Sequence, residues 1–460
     1  VLNSANARWR LSWILLASLV FYGWWNPVYV PLLISSIVVN YLAGTYLATA
    51  GVYRRAIMIA GIAFNLGLLG FFKYAGFIAF NVNALPGVAL PVPSIVLPLA
   101  ISFFTFQQIA FLVDAYRGIV GRVAPLNYAV FVSFFPQLIA GPIVHHKEMM
   151  PQFAQRQQLV DASRLASALS IFTIGLFKKT VIADGLAPTA NLVFSQAENG
   201  SAMSALEAAT GTLSYSFQLY FDFSGYSDMA IGLALLIGIR LPVNFRSPYK
   251  AASITEFWRC WHITLSRFLR DYLYIPLGGN RKGRSRRYVN IMITMLLGGL
   301  WHGAGWTFAI WGALHGVLLL VHQFWQTIAG PRLGVSLPRP LATAITFVAV
   351  AFCWIFFRAE TLDGALNIVT ALTHLGAAVS SDDIRRLFGT GTHGPLYTAG
   401  LLALAFAVAF GAPNAASYHL DQNSTRTFRA DIAHLLFIVG LWVGIVVTLG
   451  ASSEFLYFQF

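Results

Sequence analysis

Apolar stretches close to the length of a bilayer crossing recur along the chain at 12–25, 28–49, 56–72, 94–113, 127–144, 166–183, 209–238, 305–323, 341–357, 396–411 and 433–450. A hydrocarbon core of about 30 Å takes roughly 20 apolar residues in helix. Several of these runs are short or carry polar residues, and 289–302 is a further apolar stretch only one short helix long. The pattern predicts an all-α polytopic membrane protein with about eleven or twelve transmembrane or re-entrant helices. Gly, Pro and Ser mark loops at 82–95, 328–340 and 375–395. No internal repeat or inverted half is visible, which weighs against a secondary transporter.

Composition agrees with a membrane protein. The 460 residues are 57% hydrophobic and 10% charged, against about 25% charged in a soluble domain. So little charge cannot cover a water-exposed surface, which excludes a soluble enzyme, a nucleic-acid-binding module and a disordered scaffold. The net charge of +13 then reflects basic residues held in cytoplasmic loops. The segment 240–287 carries most of it: eleven Lys and Arg stand against Glu256 and Asp271. This segment should face the cytoplasm, and its aromatic and Leu-rich middle, Phe257 to Leu277, reads as amphipathic helix at or dipping into that face. Cys260 and Cys353 lie in apolar surroundings and suggest no disulfide framework. Val1 rather than Met opens the chain, so a native start upstream is expected. Arg8 and Arg10 lead into a span too long for a cleavable signal peptide.

Ionisable groups inside a bilayer are costly and are functional candidates by default. Three of the ten histidines, His262, His302 and His315, sit in apolar, Trp-rich or Gly-rich surroundings. Each has the alternative role of a hydrogen bond between helices. The glycines around His302 favour function, because they let backbone approach a ligand closely or break the helix. A metal site is weakly supported: His315 and His322 are seven apart and share a face, but no carboxylate or third histidine stands at ligand spacing. No G-x-S-x-G elbow is present for a hydrolase. Asp222 and Asp228 are six apart, about 600° around a helix, so they face differently and form no dyad. Pairing with the basic segment is their expected role.

These residues fall into blocks that resemble the membrane-bound O-acyltransferase (MBOAT) family, most closely its bacterial alginate O-acetylation branch. The blocks include Phe72-Lys73-Tyr74, Ile101 to Gln107, Asp114 to Gly118, Phe135 to Pro142, Tyr220 to Asp228, Trp258 to Ser266, Arg270 to Asn280, Leu300-Trp301-His302-Gly303 and the terminal Phe455 to Phe460. The resemblance implies one MBOAT-type membrane domain over 1–460, a helical bundle around a tunnel or funnel from the cytoplasm. It places the family's essential histidine at His302 and a second polar position at His262. The family commonly has one more hydrophobic segment before the Arg8 region. It also commonly has Arg where this chain has Cys260.

The expected chemistry is acyl transfer. Desolvation disfavours a charged imidazolium, so a neutral His302 is expected to act as general base for an acceptor hydroxyl attacking an acyl thioester; an acyl-histidine is the alternative. His262 would orient His302, polarise the thioester or position the donor. Arg259, Arg267 and Arg270 are candidate ligands for a phosphopantetheine or coenzyme A phosphate, since guanidinium forks suit phosphate; each singly is as well explained as an ordinary cytoplasmic charge. No cofactor or metal is expected to stay bound, and acetyl-CoA or an acyl-carrier thioester is the expected donor. The resemblance implies a multi-pass protein of the bacterial inner membrane that passes acetyl groups outward for O-acetylation of an exopolysaccharide, alginate first and cellulose or another envelope polymer second. The expected partners are membrane lipid and a periplasmic SGNH-type acetyltransferase or other polysaccharide acetylation proteins, not nucleic acid. From other classes, the rivals are a polytopic transporter or flippase, and a structural subunit whose histidines merely pack.

Overall fold

The computed structural model describes residues 7–49, 51–93, 95–154, 162–334, 337–374, 395–415, 432–448 and 456. All regular structure among them is helical. The expected loop 375–395 and the terminal block, apart from Leu456, lie almost wholly outside the described residues, as does the chain before Ala7. The chain divides into two compact units, Val1–Phe172 with Met229–Val243, and Thr173–Asp228 with Asn244–Phe460.

The first unit opens with α1 (Ala7–Trp25) and α2 (Val30–Leu47). Next comes α3 (Arg54–Leu69), which runs on through a wide turn at Gly70–Tyr74 into α4 (Ala75–Val82). The next helix, α5 (Ile101–Tyr116), is buried along nearly its whole length. Several polar side chains inside this unit pair with one another, as an apolar surround favours. Asn65 donates to Asn40 Oδ1 at 2.6 Å, Gln108 donates to Ser36 Oγ at 3.0 Å, and the Tyr128 hydroxyl donates to Gln108 Oε1 at 3.3 Å.

Two expected helices differ from their apolar runs. The stretch 127–144 is not one span: α6 (Pro125–Ser133) stops before Phe134, α7 (Phe135–Leu138) adds one turn, and irregular buried chain leads to α8 (His146–Ala154). Pro136, Gly141 and Pro142 account for the break, since proline cannot continue a helix interior. Likewise helix starts only at Ile101 within 94–113, after Ala100 in the left-handed region.

The next helix, α9 (Ala162–Phe177), belongs to the first unit up to Phe172 and passes through a π-helical turn, Lys178–Ala183, into α10 (Asp184–Glu198) of the second. Then come α11 (Ala205–Leu236), α12 (Ile254–Cys260), α13 (Ile263–Leu269), α14 (Gly283–His302) and α15 (Trp306–Phe324). The short α16 (Gly330–Leu333) precedes α17 (Arg339–Arg358), α18 (Leu362–Thr373), α19 (Pro395–Gly411) and α20 (Ile432–Thr448). The stretch 289–302, expected to be one short helix, is the latter part of the 20-residue α14. Its basic first turns, Arg284 to Arg287, interrupt the apolar run and so hid the start of the helix.

Five described helical stretches are long and apolar enough to cross a membrane: Pro27–Leu47, Arg54–Val82, Ala162–Glu198, Trp306–Ile328 and Arg339–Arg358. Charge is concentrated where α11 meets the π-helical turn. A Cβ on Gly225 would stand 2.7 Å from the Gly175 carbonyl and 3.2 Å from Lys179 N, so only glycine permits this approach. It brings Lys178 Nζ to 2.6 Å from Asp228 and Lys179 Nζ to 2.8 Å from Asp222 and 2.7 Å from Asp184. This corrects the expectation that Asp222 and Asp228 pair with the basic segment. They do face differently, and two adjacent lysines serve the two directions. Asp222 also accepts the Leu456 N–H at 3.2 Å.

Candidate active site

The segment expected to be one amphipathic helix from Phe257 is broken at its most interesting residue. Ser253 caps α12 by accepting the Glu256 N–H at 3.2 Å, and Glu256 accepts the Ala252 N–H at 2.7 Å, a reciprocal cap. After Cys260 the chain extends through Trp261, and His262 takes φ 41° and ψ 55° before α13 begins. A non-glycine residue in this left-handed region costs about 1–2 kcal/mol and persists where neighbours over-determine it. Here the neighbours are the residues 244–246: Ile263 N donates to Asn244 O at 2.9 Å and Arg246 N to Cys260 O at 3.0 Å. His262 is fully buried, with Nδ1 3.2 Å from Asn244 Oδ1 and its ring edge-on to Phe223 at 4.7 Å.

His302 is the last residue of α14, also buried. The glycines flanking it break the helix at Gly303 and pack the two arms of a helix hairpin together. A Cβ on Gly299 would strike the Phe308 carbonyl, one on Gly312 the Met295 carbonyl, and one on Gly303 the Phe308 ring. Small residues thus let α14 and α15 touch backbone to backbone. His302 packs against Trp301 at 4.9 Å, Trp311 at 5.1 Å and Phe357 at 5.1 Å.

Trp301 also meets the His262 ring at 6.2 Å, so one indole lies against both candidate histidines. Trp311 in turn contacts His315 at 4.8 Å and stacks on Trp354 at 5.7 Å and 19°. His315 is fully buried and accepts the Trp258 Nε1–H on Nδ1 at 3.3 Å. The three histidines singled out from sequence therefore share one aromatic cluster. Sequence reasoning missed Asn244, Trp311 and Phe357; the Trp311/His315 spacing of four, one helical face, was the available signal.

The candidate arginines are placed differently from one another. Arg259 is exposed on α12 and Arg267 half-buried on α13. Arg270 is exposed and its fork already grips Asp271, at 2.7 and 3.1 Å. Among the described residues no group of three His, Cys, Asp or Glu side chains could hold a metal ion.

Residues 112–357, which include every histidine of this cluster, match the model of the MBOAT, membrane-bound O-acyltransferase family. The chain belongs to that family. This MBOAT protein is an acyltransferase enzyme, built as a multi-pass membrane protein. It is similar to the peptidoglycan O-acetyltransferase of Helicobacter pylori, 44% identical over 99% of this chain and 92% of the relative. It is similar to the probable alginate O-acetylase AlgI of Azotobacter vinelandii, 44% identical over 82% of this chain and 75% of the relative. A probable alginate O-acetylase AlgI of Pseudomonas putida is 38% identical over 99% of this chain and 96% of the relative.

Proposed function

We propose that this MBOAT protein moves acetyl groups from a cytoplasmic thioester, acetyl-CoA or an acyl-carrier thioester, for O-acetylation of a glycan outside the bacterial inner membrane. The observation that carries the proposal is the burial of His302 and His262 against a single indole, Trp301. An imidazole placed in so apolar a cluster is hard to account for by packing alone. In this reaction the acceptor hydroxyl gives its proton to His302 as its oxygen forms a bond to the thioester carbonyl carbon. The carbon–sulfur bond then breaks, and the proton passes to the departing thiolate. His262 orients the reacting groups beside that centre. Arg259 on α12 and Arg267 on α13 are the proposed ligands of a donor phosphate, whereas Arg270 must first release Asp271.

The relatives' names speak of alginate and of peptidoglycan, so the proposed acceptor widens from alginate to an O-acetylated envelope glycan. A periplasmic SGNH-type acetyltransferase is the proposed partner for the outer half of the transfer. The test is the acetyl content of both exopolysaccharide and peptidoglycan in cells that depend on this chain. His302→Ala should lower it by at least about 10²–10⁴-fold per correctly inserted protein, the range of general-base catalysis. His262→Ala should fall between that and His315→Ala. Substantial acetylation by His302→Ala would remove the base from this position and make His262 the leading candidate.

A further inference from the structure

The environment of Asn244 has a chemical consequence for His262. Its side-chain oxygen receives three groups: the Thr264 backbone N–H at 3.3 Å, the Thr264 hydroxyl at 2.9 Å and His262 Nδ1 at 3.2 Å. A backbone N–H can only donate, so the atom facing it is the amide oxygen and not the nitrogen. The amide nitrogen points the other way, 3.5 Å from Ser227 Oγ. An oxygen can only accept, so Nδ1 of His262 carries the hydrogen and Nε2 carries the lone pair. That Nε2 is buried with no hydrogen-bond partner of its own. The backbone of the same residue closes the arrangement, because Asn244 O accepts the Ile263 N–H at 2.9 Å. Asn244 thus grips the chain on the far side of His262 with its main chain and the imidazole with its side chain.

We propose that Asn244 is a positioning residue for acyl transfer: it fixes the ring and tautomer of His262 so that Nε2 faces the reacting groups as an acceptor. The inference rests on the proposed part of His262 in the reaction. Partners that orient histidines in metal sites contribute about 10–100-fold, and the same order is expected for Asn244.

The test uses the full chain in inverted membrane vesicles supplied with cytosol and labelled acetyl-coenzyme A, following acetyl transfer per inserted protein. Asn244→Ala should lower the rate by about 10–100-fold. The same substitution made on His262→Gln should lower it no further. Asn244→Asp restores the acceptor and should recover most of the rate. Its carboxylate also favours the charged imidazolium, so the acid limb of the pH–rate profile should move to higher pH. Equal losses from Asn244→Ala with and without His262 would overturn the inference and leave the role of His262 standing. An unmoved acid limb in Asn244→Asp would do the same, and it decides alone if His262→Gln has no measurable rate. A wild-type rate in His262→Gln would instead refute the part given to His262, and with it that of Asn244.

Discussion

Two fully buried imidazoles in the aromatic cluster are held in opposite senses. His262 meets the Asn244 oxygen through Nδ1, whereas His315 takes the Trp258 indole hydrogen on Nδ1. His315 must therefore bear its hydrogen on Nε2. One ring presents a lone pair and the other a donor, although both were singled out from sequence by the same criterion of apolar surroundings. Tautomers were not legible there, because the partners that set them stand 18 and 57 residues away. Ion pairs were equally hidden: nothing local to Asp228 announces Lys178, fifty residues back. Breaking that buried pair on one side leaves a lone charge, at a cost of about 3–5 kcal/mol. Lys178→Met should accordingly lower the amount of inserted protein and its melting temperature in detergent. Lys178→Met with Asp228→Asn should recover much of both, and a double variant as damaged as the single would assign Lys178 a role beyond pairing.

At the scale of elements, hydrophobicity alone located most helices because long apolar runs leave the chain little choice in a bilayer. It failed where helices end inside apolar surroundings. The break at Phe134 and the left-handed turn at His262 interrupt buried chain, so no change of polarity marks them. At His262 no glycine or proline marks the turn either; its cause is the distant 244–246 segment. The α14–α15 hairpin is the opposite case: its glycines were visible and the helix does end at Gly303 as they suggested, but their role in packing the two helices together was not legible. Their packing role makes a clear prediction. Gly312→Leu must push the Met295 carbonyl away, so it should lower melting temperature and acetylation together. Met295→Ala removes side chain but keeps the backbone contact and should be milder on acetylation. Equal effects of the two would mean that backbone approach is not what the glycine protects.

For the molecule as a whole, the basic run Arg281 to Arg287 is exposed almost throughout, and the charge bias of membrane proteins places such a run in the cytoplasm. Cysteine introduced at Ser285 in a chain with Cys260 and Cys353 removed should resist an impermeant thiol reagent added outside intact cells. Ready labelling would reverse the orientation. The donor should also arrive from that side. Replacing Arg267 and Arg270 together by Gln should raise the donor concentration for half-maximal rate, since guanidinium forks suit a donor phosphate. Added salt should weaken donor affinity in the wild type, as screening requires; insensitivity to both would reduce these arginines to topology signals. The family and its acyltransferase chemistry were legible in ordered motifs, whereas the acceptor polymer was not, since relatives of equal identity are named for peptidoglycan and for alginate. Trp311 and Trp354 lie nearly parallel, 5.7 Å apart, close enough for their indole transitions to couple. Among the twelve tryptophans of the chain, this pair should add a paired band to the near-ultraviolet circular dichroism that disappears in Trp354→Phe. Because Trp311 also touches His302, that band would let the integrity of the site be followed in detergent or lipid without any substrate.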